Sequence, residues 1–220
     1  MEALLDFDRQ ITLLLNGSDS HYLDNLIMFI TGTWTWIPVG IVLIFVLYRY
    51  NSRRDFLLLL LAFALCIFLA DQVASGICKP YFKRFRPSQD PSLVGIIDLV
   101  NNYKGGLYGF FSSHAANTFS LFTFFSLYFR DKRFTLGLLS WTLLNGYSRI
   151  YLGVHYVGDV ATGILWGAIV GTAIYYLFKI ISNHGKSHYL RSTTTPPQGG
   201  IIVLYTLLAT YAFILIASLF

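Results

Sequence analysis

The chain has 220 residues, 55% hydrophobic and only 12% charged, with a formal net charge of +5 and a mean hydropathy of +0.57. A soluble domain of this length needs a more polar surface to stay dispersed, so the composition excludes an ordinary soluble globule and describes a membrane protein. The basic residues are scattered among loops rather than gathered in one patch, which argues against nucleic acid as a partner.

In chain order, "MEALLDFDRQITLLLNG" places Leu4, Phe7, Ile11 and Leu14 at helical spacing with acids opposite and ends on the helix stop Asn16-Gly17. This predicts an interfacial helix over 1–17, lying on the membrane surface. Six apolar stretches follow, at 25–48, 56–78, 110–129, 134–152, 159–181 and 201–220. None alternates apolar with polar residues, and Gly and Ala run through them, as in helices packed closely in lipid rather than barrel strands. The expected fold class is all-α: a polytopic six-transmembrane-helix bundle forming one membrane-embedded domain over 1–220. An outward loop occupies 79–109 and a polar, Pro/Gly-rich cytoplasmic loop occupies 182–200. The acidic start and interrupted apolar stretch give no cleavable signal, so the first span serves as the anchor. Cys66 and Cys78 fall on one predicted helix about 18 Å apart, too far to bridge, and read as packing residues.

With six spans, one face carries Arg49, Arg53, Arg54, Arg130, Lys132, Arg133, Lys179, Lys186 and Arg191, and the other Arg9, Lys79, Lys83, Arg84, Arg86, Lys104 and Arg149. If Lys79, Arg86 and Arg149 belong to a site, nine topology signals stand against four. The positive-inside rule then puts the nine in the cytoplasm. The site would face the periplasmic or extracellular side of a bacterial inner membrane.

Three outward clusters belong together: "KPYFKRFRP" at 79–87, "FSSHAAN" at 111–117 and "SRIYLGVHYVGD" at 148–159. Each has a bland reading alone. The first suits an interfacial basic belt, the serines of the second suit a helix cap, and Asp159 of the third suits the same. Together they gather ionisable groups at membrane depth, where unpaired charge is costly, and so call for a polar cavity. Arginine forks, a lysine and backbone N–H groups at a helix start make an anion cradle suited to phosphate. Of two histidines, one can attack phosphorus and the other protonate a leaving oxygen. His155 and Asp159 stand one helical turn apart, so the carboxylate can fix the ring tautomer. The 11 acids do not cluster as a magnesium or two-metal site requires, so no cofactor is expected.

At these residues the chain resembles the type-2 phosphatidic acid phosphatase superfamily. The resemblance rests on Lys79-x6-Arg86-Pro87, Ser112-x-His114 and Ser148-Arg149-x5-His155-x3-Asp159, in matching order and spacing. It implies His155 as the nucleophile of a phosphohistidine intermediate, Asp159 as its orienting partner and His114 as general acid. Lys79, Arg86, Arg149, the Ser112 hydroxyl and the Ser113 backbone N–H would bind the phosphoryl group. Where the family pattern reads Pro-Ser-Gly-His, this chain has Phe111-Ser112-Ser113-His114, so Ser113 stands in for the usual glycine.

The resemblance implies a metal-independent lipid phosphatase whose partners are the bilayer and a membrane lipid phosphate. The leading substrates are undecaprenyl diphosphate and lipid A phosphate, with phosphatidylglycerol phosphate and phosphatidic acid as alternatives. No obligatory protein partner is evident. An anion-binding transporter would also want a cationic cavity, but would not need two histidines and an aspartate. Vanadate-dependent halide oxidation resembles the same anion site in soluble, longer chains.

Overall fold

The computed structural model describes residues 2–184 and 199–220, which are helical except for short turns and the mostly irregular segment 83–112, where 3-10 turns and one isolated bridge between Phe85 and Tyr108 occur. Helix α1 (Glu2–Leu15) ends where expected, because Gly17 adopts φ +63° and its N–H reaches the Tyr151 carbonyl at 3.0 Å. Leu4, Phe7 and Leu14 are exposed, as befits a helix presenting its apolar face to lipid. Its polar face docks instead onto the protein, burying Thr12 and half-burying Asp8.

The predicted span 25–48 is broken. Helix α2 (His21–Thr31), capped by Ser20, stops at Gly32, a 3-10 turn covers Thr33–Trp36, and α3 (Ile37–Tyr50) resumes with Pro38 in its first turn. Apolar character is continuous across the break, but proline has no N–H to give an earlier turn and is tolerated only near a helix start. Helix α4 (Arg53–Asp71), capped by Ser52, runs through a π-helical segment (Gln72–Cys78) into the short α5 (Lys79–Phe82), which a left-handed Lys83 ends. Helices α6 (Ser113–Phe129), α7 (Lys132–Tyr151), α8 (Val157–Asn183) and α9 (Gly200–Ala217) complete the fold. Most of the predicted 182–200 loop lies outside the described residues.

Among the described residues, four helical stretches are long and apolar enough to cross a membrane: Thr33–Tyr50, Arg53–Phe82, Val157–Asn183 and Gly200–Ala217. Helix α6 has only 17 residues, and α7 carries Lys132, Arg133 and Arg149. Helix α6 packs inside the bundle against α4, α7 and α8, whereas α7 packs against α2, α6 and α9 and leaves Leu136 and Leu143 exposed.

The tightest seam joins α6 to α8. Gly163, Gly167 and Gly171 recur every four residues on α8, and a Cβ on each would stand 2.4–2.5 Å from the carbonyl oxygens of Ser112, Ala116 and Ser120 on α6. Small residues at this spacing let two backbones touch, the usual way helices associate where lipid is as apolar as the side chains. The seam fixes the starts of both helices against each other, with Ser112 N–H donating to the Asp159 carbonyl at 3.0 Å. At the opposite end Phe124, Phe125, Phe129 and Phe134 build an aromatic core. Beside it a cavity of about 320 Å³ is walled by apolar residues of α3, α4, α6, α7 and α9.

Candidate active site

The site gathers where α5, the start of α6, the end of α7 and the start of α8 meet. Lys79 sits at the end of the π-helical segment. Its ammonium donates to Ser75 Oγ at 3.0 Å and Ser113 Oγ at 3.1 Å, while Ser75 in turn donates to Asp71 at 3.2 Å. Asp71, Ser75 and Lys79 thus form a polar ladder along one helix side, ending on the residue that replaces the family glycine. Ser112 caps α6 by accepting from Ala115 N–H at 3.4 Å.

Beyond Lys83 the chain is extended through the Phe85–Tyr108 bridge, so alternate side chains share a side. Phe85 turns outward, whereas Arg84 and Arg86 turn in. Arg86 is 9% exposed, donates to the Tyr108 and Val154 carbonyls at 3.2 Å each, and stands 3.3 Å from His155 Nε2. Burial, then the nearby Arg149 charge, lowers its pKa below the ordinary arginine value. Arg149 donates to the Thr31 hydroxyl and, at 3.3 Å, to the Tyr103 hydroxyl, while its Nε is buried with no hydrogen-bond partner.

His155 follows the positive-φ Gly153 in the turn between α7 and α8, is 1% exposed, and holds its main-chain N–H on the Arg149 carbonyl at 3.2 Å. Its Nδ1 lies 3.5 Å from Asp159 Oδ2, too long for a formed hydrogen bond, and has no other partner. Asp159 is fully buried and also accepts from Tyr156 N–H at 3.1 Å, closing the first turn of α8. Burial first, then the fields of Arg86, Arg149 and Lys79, drives the His155 pKa well below 6.5 and keeps the ring neutral. His114, one residue past the start of α6, lies within the fields of Arg149, His155, Lys79 and Arg86.

All eight residues singled out in the sequence therefore lie in one cluster. The "NNYKGG" loop reaches the site through Tyr103, whose hydroxyl accepts from Arg149. One reading changes. Arg84, counted among the topology signals, belongs to the site: its guanidinium donates to Asp159 Oδ1 at 2.9 Å and to Asp8 Oδ2 at 2.7 Å. Burial opposes its charge, but the two carboxylates outweigh burial and raise its pKa. The orientation bias is thus nine against three.

Four cations and two histidines gathered at one end of an apolar helical bundle define a membrane protein with a cationic polar cluster. The PAP2 superfamily model matches residues 55–182, and the chain belongs to that superfamily. It is 38% identical to a lipid A 4'-phosphatase of Porphyromonas gingivalis over 178 residues, 81% of this chain and 75% of that one. It is 32% identical to a lipid A 4'-phosphatase of Bacteroides thetaiotaomicron over 226 aligned positions, 100% of this chain and 98% of that one. The fold is similar to that of a transmembrane PAP2-type phosphatidylglycerolphosphate phosphatase from Bacillus subtilis, with a TM-score of 0.61 at 21% identity, covering 86% of this chain and 90% of that one.

Proposed function

We propose that this PAP2-superfamily member, a lipid phosphatase, removes a phosphate monoester from lipid A at the outer face of the inner membrane, with His155 as nucleophile. The observation that carries the reading is the buried His155 ring, held between Arg86 on its Nε2 side and Asp159 on its Nδ1 side. The choice of lipid A over undecaprenyl diphosphate, phosphatidylglycerol phosphate and phosphatidic acid rests on the two lipid A 4'-phosphatases aligned with most or all of the chain.

Lys79, Arg86 and Arg149 hold the phosphoryl oxygens, with the free Arg149 Nε as a spare donor and the Ser112 hydroxyl and Ser113 N–H at the helix start completing the cradle. His155 Nε2 attacks phosphorus, an N–P bond forms, and the ester P–O bond breaks. The leaving sugar oxygen takes its proton from His114. As the His155 ring becomes cationic, its Nδ1–H closes the 3.5 Å gap to Asp159, so the ion pair strengthens as charge develops. His114 then deprotonates water, which attacks the phosphohistidine, releases inorganic phosphate and returns His155 to neutrality. Cationic side chains carry the charge compensation, and no cofactor takes part.

In this reading helices α6 and α7 cross with the four apolar stretches, six crossings in one domain; the enclosure of α6 by α4, α7 and α8 and the packing of α7 on α2, α6 and α9 support it. The basic end, where Arg54 donates to the Ile181 and His184 carbonyls, faces the cytoplasm and the site faces the periplasm.

The test is phosphate release from lipid A bearing both phosphates, by the purified protein in detergent with a chelator. Wild type is expected to yield inorganic phosphate and the monophosphoryl lipid, and to be inhibited by vanadate. Turnover confined to undecaprenyl diphosphate would move the substrate. Binding of lipid A without phosphate release would favour an anion carrier.

A further inference from the structure

We propose that α1 is part of the reaction machinery, with Asp8 acting through Arg84 as a positioning pair for Asp159. The inference rests on the reading of His155 as nucleophile and deepens it. An N-terminal helix that merely floats on the membrane needs no contact with the reacting groups. This one reaches the catalytic end of α8 through two side chains, Asp8 and Thr12. Asp8 Oδ1 accepts from Gly158 N–H at 2.7 Å and Thr12 Oγ accepts from Val157 N–H at 3.1 Å, so α1 caps the first N–H groups of α8. Asp8 Oδ2 holds Arg84, and Arg84 holds Asp159 Oδ1.

Each oxygen of the Asp159 carboxylate is thereby assigned. Oδ1 belongs to Arg84, and Oδ2 is shared by Tyr156 N–H and the approaching His155 Nδ1. The guanidinium is itself fixed on three sides, by both carboxylates and by the Tyr156 ring, whose centroid lies 4.0 Å away. The Tyr156 hydroxyl donates to Asp90 at 2.9 Å. A carboxylate at 0% exposure cannot stay ionised unpaired, and His155 is too distant to pair with it before reaction. Arg84 supplies that pairing in the resting enzyme and leaves Oδ2 aimed at His155. The alternative is that Arg84 only pins α1 to the bundle, in which case its loss would lower stability and spare the chemical step.

The experiment compares wild type with Asp8→Asn, Arg84→Gln, Arg84→Lys and the double variant Asp8→Asn/Arg84→Gln, as full-length protein in detergent with bis-phosphorylated lipid A. Read-outs are kcat, KM, thermal midpoint and the rate of phosphoenzyme formation. Arg84→Gln is expected to lower kcat and phosphoenzyme formation about 10- to 100-fold with KM nearly unchanged, the usual size for a group that orients a catalytic ligand. Arg84→Lys should recover part of the loss. Asp8→Asn should lower kcat less, and the double variant should match Arg84→Gln because the two residues act in series.

A lower thermal midpoint with unchanged kcat would overturn the proposal in favour of a structural pin. A raised KM at constant kcat would make Arg84 a substrate contact, and multiplying single effects would deny the series. If Arg84→Gln fails to fold, the isosteric Asp8→Asn decides by the same criteria. A wild type that releases no phosphate would overturn the functional reading and this proposal with it. An active wild type with normal variants would overturn this proposal alone.

Discussion

Two glycines mark the contrast between the α6–α8 seam and the α3 side of the bundle. Gly167 lies in the α6–α8 seam, where a Cβ would stand 2.4 Å from a backbone carbonyl. Gly40 lines the apolar cavity beside the aromatic core, where a Cβ would meet nothing within 4 Å. The seam side is the more tightly determined: its backbones touch, and the half-buried Arg84 and the buried Arg86 and Asp159 each have a stated partner, while Arg149 Nε and His155 Nδ1 are among its buried atoms without one. The α3 side is held by aromatic packing with room to spare. Precision has been concentrated where a phosphoryl group must be met by several side chains at once, since small misplacements there cost catalysis.

The largest effect that sharpens this contrast is expected from Gly167→Val. Pushing α8 off α6 separates Asp159 and His155 from Ser112, Ser113 and His114. Phosphate release should fall to background while stability drops by roughly 1–3 kcal/mol, the usual range for overpacking. Retained kcat in that variant would show that the seam does not align the site.

Next comes His114→Ala, expected to slow lipid A turnover about 10²- to 10⁴-fold, the scale of general acid catalysis, but to spare an activated aryl phosphate whose leaving oxygen needs no proton. Equal losses on both substrates would deny His114 the acid role.

A smaller effect is in pH. His155 is held neutral in the folded protein by burial and then by three neighbouring cations, whereas in the unfolded chain it takes up a proton near 6.5. The unfolded state therefore binds more protons below that pH, and stability present above 6.5 is lost as pH falls. The thermal midpoint of wild type should fall more steeply from pH 7 to pH 5 than that of His155→Gln. Parallel slopes would mean that the ring is not held neutral.

The smallest effect belongs to Gly40→Ala. It should leave kcat within about twofold and stability equal or slightly higher, since the added methyl group enters open space. A large loss of activity there would show that the inner cavity is coupled to the site.

The motif residues were legible because their chemistry is tied to spacing along the chain. His155 and Asp159 share a helix-turn interval, and Lys79, Arg86 and Arg149 are cations that lipid-facing helices would not carry unpaired. Arg84 was not legible. In "KRFR" its inward turn depends on Lys83 ending α5 in a left-handed conformation and on the Phe85–Tyr108 bridge, and neither is written in local propensity. Asp8 was harder still, since its partners lie about 75 and 150 positions away. The break at Gly32 was hidden by unbroken apolarity, although Pro38 carried a hint. The seam had a visible signal that went unread: Gly163, Gly167 and Gly171 at four-residue intervals.

The most direct test of the central claim is to mix the protein with lipid A carrying labelled phosphate, quench within one turnover in alkali, and map the labelled residue. Label on His155 in wild type, absent from His155→Ala together with turnover, is the predicted result. Label on another residue, or a His155→Ala variant that still releases phosphate within tenfold of wild type, about 1.4 kcal/mol in the barrier, would contradict it.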